Sequence, residues 1–127
     1  MANDLGKLIL RLTLGVLILL HGIAKISGGI AGVEKMLEGA GLPSFIAPGV
    51  YVGEVLAPLL VILGFYARVG AVLIVVNMLF AILLAHRADL LLLTKTGGWA
   101  LELQAFFLFT ALALTLIGPG RFGINQR

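Results

Sequence analysis

The stretch APGVYVGEVLAPLLVILGFY, residues 47–66, holds a single charged side chain, Glu54, in an otherwise apolar run. Its length matches the ~20 residues that a helix needs to cross the hydrocarbon of a bilayer. A charged side chain well inside such a run costs about 2.5–3.5 kcal/mol on insertion scales. Glu54 therefore calls for a partner, a water-filled cavity or a bound proton. Pro58 lies four residues on and has no amide to give the Glu54 carbonyl, which opens the backbone at the level of the carboxylate.

Working outward, three further runs have spanning length: residues 8–26, 69–86 and 99–117. Of the 127 residues, 61% are hydrophobic and 12% charged, with mean hydropathy +1.14. Too little polar surface is left for a water-soluble domain, so the expected fold is all-α. The expectation is one integral membrane domain over residues 1–127, a four-helix bundle in contact with lipid. The net charge of +3 could point to nucleic acid. The basic residues sit singly at segment ends and form no stripe, so they read as topology signals and no nucleic-acid partner is expected. With no cysteine, disulfide and thiol redox chemistry are excluded. Lys7 before an apolar run imitates a signal peptide, but Arg11 and His21 interrupt that run and no small-residue cleavage site follows. It reads as a retained helix.

Between the first two spans, Ile30, Val33 and Leu37 recur at helical spacing opposite Glu34, Lys35 and Glu38. Gly39 and Gly41 then stop the pattern. This predicts a short amphipathic helix on the membrane surface or capping the bundle. Residues 65–68 form a tight turn, which makes the second and third spans antiparallel neighbours. Four spans put both termini on one side with Lys7, Arg11, Arg68, Arg121 and Arg127. Lys25, Lys35, Arg87 and Lys95 fall on the other. The bias places the termini in the cytoplasm.

That orientation brings His21, Lys25, Glu54, His86 and Glu102 into the outer half of the bilayer from four different segments. These five are the candidate ligand-binding residues, with no catalytic residue identified. Arg11, Leu14, Ile18, His21 and Lys25 follow the three-and-four spacing of a seam. Gly49, Gly53 and Ala57 recur beside Glu54, as do Asn77, Ala81 and Ala85 on the third span, and such small residues let helices approach. Arg11, Asn77 and Gln104 are read as structural polar residues. Lys25, Arg68 and Arg87 also read as interfacial anchors, and Phe106, Phe107 and Phe109 as packing or lipid contact. Glu102 and Gln104 stand about 200° apart around a helix, so only one can face the core. No metal ligand set is expected. His21 and His86 end at similar depth, but the absence of a tight ligand motif argues against haem.

Several blocks in this order resemble the DoxX family of small four-helix membrane proteins. They are Arg11-Leu12-Thr13-Leu14-Gly15, His21-Gly22-Ile23-Ala24-Lys25-Ile26 and Gly41-Leu42-Pro43. Glu54 follows, then Leu63-Gly64-Phe65-Tyr66-Ala67-Arg68, Glu102, and Gly118-Pro119-Gly120-Arg121-Phe122. The resemblance implies a multi-pass protein of a prokaryotic plasma (inner) membrane. It also implies association with a membrane oxidoreductase or an oxidative-defence partner protein. The matching positions are Arg11, His21, Lys25, Glu54 and Glu102, and the family defines no catalytic residue to transfer.

Together these readings lead to a quinone or other small polar-headed ligand in the outer half of the bundle. His21 and Lys25 would bond its carbonyl, and Glu54 would exchange the coupled proton. A non-catalytic scaffold or partner subunit uses the same residues for packing and docking. A small-solute or proton-coupled transporter is the third reading. Small-residue faces and Gln104 favour a homo-oligomer.

Overall fold

The computed structural model describes residues 1–85, 93, 97–98 and 101–127. Its backbone is helical almost throughout those residues. Helix α1 spans Ala2–Gly28, with Asp4 in its first turn and Lys25 in its last, both of the sign that the helix dipole favours. Gly29, at φ 81°, ends it. Helix α2, Ala31–Gly39, is the expected amphipathic segment; Leu37 is buried and Glu34, Lys35 and Glu38 are exposed. Gly41 at φ +79° turns the chain away, and the Leu42 amide closes the turn on the Leu37 carbonyl at 2.8 Å.

A 3-10 turn, Ser44–Ile46, leads into a helix built in three pieces: α3 (Gly49–Tyr51), a π-helical segment (Val52–Leu56) and α4 (Ala57–Leu63). Gly64, in the left-handed region at φ 68°, caps α4, and the Phe65 amide reaches back to Leu60 O at 3.1 Å. Helix α5, Ala67–Ala85, starts immediately after Tyr66, so the reversal is tighter than the expected turn over 65–68. Helix α6 is Glu102–Ile117.

Helix α1 packs against α4 and α6, and α5 packs against the same two. Leu14, Ile18, Ala57, Val61, Ala71, Ile74, Met78, Phe107, Ala111 and Leu114 fill the space between them. Glycines set the approach. A Cβ on Gly22 would overlap the Glu54 carbonyl, and one on Gly70 would stand 2.7 Å from the Ala57 carbonyl.

The outward faces are apolar. Leu20, Leu83, Phe106, Phe109 and Leu116 are each half exposed or more. Ala2–Gly28 and Ser44–Leu63 are long and apolar enough to cross a membrane, while Ala67–Leu83 and Glu102–Ile117 are shorter apolar helices.

Candidate functional site

The site begins with a defect in a helix. Across Val52–Leu56 the ladder widens, and the Ala57 amide donates to Val52 O five residues back. Pro58 cannot supply the next amide. One extra residue per turn advances the helix by about 100°, which turns Glu54 inward from a helix that exposes Val52 and Leu56. Glu54 is 6% exposed.

Two donors meet its carboxylate. Lys25 Nζ donates to Oε1 at 2.5 Å, and Asn77 Nδ2 donates to Oε2 at 3.1 Å. Each oxygen is thus occupied by a group from a different helix. Gly53 makes room for Asn77, since a Cβ there would come within 2.6 Å of Asn77 Cγ. The Tyr51 hydroxyl donates to the Lys25 carbonyl at 3.3 Å, tying the end of α1 to the turn preceding Glu54. Lys25 keeps 28% of its side-chain surface exposed. Its ammonium head turns in to the acid.

These groups open onto a cavity of about 540 Å³. Val33, Met36 and Leu37 of α2 line it, with Leu73, Val76 and Phe80 of α5. Apart from Lys25, Glu54 and Asn77, its lining side chains are apolar or absent. Such a shape suits a molecule with one polar head and an apolar body.

Of the other sequence candidates, His21 and Glu102 do not join this cluster. His21 was expected on the seam of α1, but it is exposed: its Nδ1 lies 3.0 Å from Leu17 O and its ring meets Phe107 edge-on at 5.9 Å. The seam runs through Arg11, Leu14, Gly15, Ile18 and Gly22 instead. A 3.6-residue helix leaves His21 about 100° from Gly22, facing α6. Glu102 is exposed in the first turn of α6, beside Gly98, and Gln104 is half buried. His86 lies outside the described residues, and with it any pairing of the two histidines. Among the described residues no group of three His, Asp or Glu could hold a metal ion.

Arg11 forms a second polar centre, about 21 Å along α1 from Lys25. It is 1% exposed, and its guanidinium donates to four carbonyls: Val61 at 2.9 Å, Ile62 at 3.0 Å, Pro119 at 3.1 Å and Phe122 at 2.7 Å. Two of these close α4, where the dipole is negative, and two belong to the segment after α6. The sequence flagged Arg11 as structural, but nothing in it signalled the carbonyls. Tyr51 was missed as well. Its signal was a phenol one turn before the carboxylate.

Comparison with known proteins identifies a family. A family model described as DoxX matches residues 6–87. The chain is 31% identical over 80 residues to "Putative oxidoreductase CatD" of Bacillus subtilis, a match covering 63% of this chain and 59% of that one. It is 28% identical over 133 aligned positions to "Inner membrane protein YqjF" of Escherichia coli, covering 98% of this chain and 92% of that one. No solved structure matches. The family match holds Arg11, Lys25, Glu54 and Asn77 within its bounds.

Proposed function

The chain belongs to the DoxX family, and from that premise we propose that it is a multi-pass protein of a prokaryotic inner membrane that holds a small amphipathic ligand, a quinone in the first instance, for an associated oxidoreductase. In this reading α1, the helix from Gly49 to Leu63, α5 and α6 are the four membrane helices and α2 covers one end. The names of the two relatives supply the membrane and the oxidoreductase association. The carrying observation is the apolar cavity of about 540 Å³ that ends on Lys25, Glu54 and Asn77.

The residues fit a quinone. Its carbonyl oxygen needs a donor and its ring needs an apolar wall. Lys25 Nζ and Asn77 Nδ2 line the cavity, each with an N–H beyond the one given to Glu54, and Met36, Val76 and Phe80 provide the wall. The bound quinone would supply two-electron, two-proton chemistry, with electrons from the partner enzyme. Glu54 balances the Lys25 charge, orients its ammonium through a 2.5 Å hydrogen bond, and is the acid–base group that the cavity offers a ligand. A solvent extract of the purified protein should contain a quinone, and a short-chain quinone should raise its melting temperature. A quinone-free extract together with an unshifted melting temperature would sink this reading.

One observation favours a non-catalytic partner subunit instead. Among the described residues every buried side-chain nitrogen or oxygen has a hydrogen-bond partner. Lys25, Glu54 and Asn77 then serve only to lock three helices in register, and the cavity admits lipid chains.

A further inference from the structure

The end of the molecule opposite Glu54 carries a second concave surface of different chemistry. Its volume is about 450 Å³, and Lys7 of α1, Arg68 at the start of α5 and Arg121 after α6 line it with Asp4 and Gln126. Three cations thus converge from three separate parts of the chain against one carboxylate. Asp4 already has a task, accepting the Arg121 amide at 3.2 Å. Among the described residues, none of the three cations is in an ion pair.

The backbone beneath them is shaped for close approach. Gly118 and Gly120 both have φ in the left-handed region, +79° and +77°. A Cβ on Gly118 would press on the Arg68 guanidinium at 2.7 Å, and one on Gly120 would stand 3.2 Å from the Asp4 carboxylate. Arg11 holds this segment in place from below through Pro119 O and Phe122 O. The cationic surface is therefore carried on a fixed support.

We propose that Lys7, Arg68 and Arg121 form a binding site for the phosphodiester headgroup of an anionic phospholipid. The inference rests on the membrane reading given above but is independent of the Glu54 cavity. Three basic groups around one concavity match a monoanionic phosphodiester, which a guanidinium grips with two parallel hydrogen bonds. The adjoining surface identifies a lipid over free phosphate. Ile117 lines the site, and Leu116, Leu112 and Phe109 continue from it along an exposed face of α6 at helical spacing. That face offers an acyl chain a continuous apolar track starting at the cations.

The test is native mass spectrometry of the detergent-purified chain after exchange into mixed phosphatidylglycerol and phosphatidylcholine. Phosphatidylglycerol should be retained in preference. Removing Arg68 and Arg121 charges (R68Q, R121Q) should weaken retention about fivefold for each cation lost, while R68K should keep most of it. Each variant is compared at matched melting temperature. Should R68Q fail to fold, K7Q reads the same site from the exposed end of α1. Equal retention of both lipids by the wild-type chain, or unchanged preference in the variants, overturns the site. Displacement of the lipid by millimolar inorganic phosphate would reassign it to a free anion, which overturns the lipid assignment. Carbonate extraction of the chain from membranes tests the membrane reading separately: a chain that stays in the membrane yet shows no lipid preference refutes the headgroup site alone.

Discussion

Glu54 accepts from two donors on different helices, and the consequences of losing its charge depend on what the pair is for. Glu54→Gln preserves shape but leaves Lys25 without a counter-charge. Lys25 retains partial exposure, so the cost should be about 1–2 kcal/mol, between exposed and buried pairs. A structural pair would be rescued by Lys25→Met in the Glu54→Gln background, with stability and quinone binding returning together. In the proposed site the double variant regains stability and still fails to bind. Melting temperature and short-chain quinone binding, measured on the single and double variants, separate these outcomes. Unaltered quinone binding by a folded Glu54→Gln protein would show that the Glu54 charge has no part in holding the ligand. Arg11 makes a different forecast. Lysine has the charge but not the planar fork, and cannot reach four carbonyls at once. Arg11→Lys should lose about 2–4 kcal/mol, because each carbonyl left unsatisfied costs about 1–3. Proteolysis should then cut first after residue 117. A tail as resistant as the wild type's would show that Arg11 does not hold it.

At the scale of elements, the π-helical segment decides which way the acid points. Deleting Leu56 should convert Val52–Leu56 to regular α-helix and rotate everything before it by about 100° relative to α4. Glu54 would leave Lys25 and Asn77 while helix content stayed the same. Circular dichroism should be unchanged and quinone binding lost; retained binding would mean that the bulge does not aim the site. The contact between α1 and this segment depends on a missing side chain. Gly22→Val places a Cβ into the Glu54 carbonyl, and should destabilise the protein by about 1–3 kcal/mol. An unshifted melting temperature would show that α1 can move away without loss.

For the whole molecule, the proposed four crossings place Ser44 and the chain after α6 on opposite sides of the membrane. Single cysteines at Ser44 and Gln126 should label with impermeant maleimide from opposite faces of oriented vesicles. Labelling of both from one face would remove a crossing. Gln126 is the better reporter, because the Asn125 side chain accepts the Tyr66 amide at 2.9 Å and substitution there would disturb the tail.

Composition and spacing alone determined much about this protein. Twenty-residue apolar runs, the amphipathic pattern at Ile30, Val33 and Leu37, and the glycines that end it were legible because hydropathy and helix stop signals are local. Glu54 was legible because a charge in an apolar run is conspicuous wherever the chain folds, and Lys25 and Asn77 were both among the residues picked out. Only the tertiary structure decided how they group. Lys25 and not His21 meets Glu54, and Asn77 holds its second oxygen. These outcomes depend on helix phase, where one inserted residue is worth about 100°. A π-bulge leaves no pattern from which that phase can be counted. The carbonyls around Arg11 were equally hidden, since every residue has a carbonyl and only the packing of α1, α4 and the tail brings those four together.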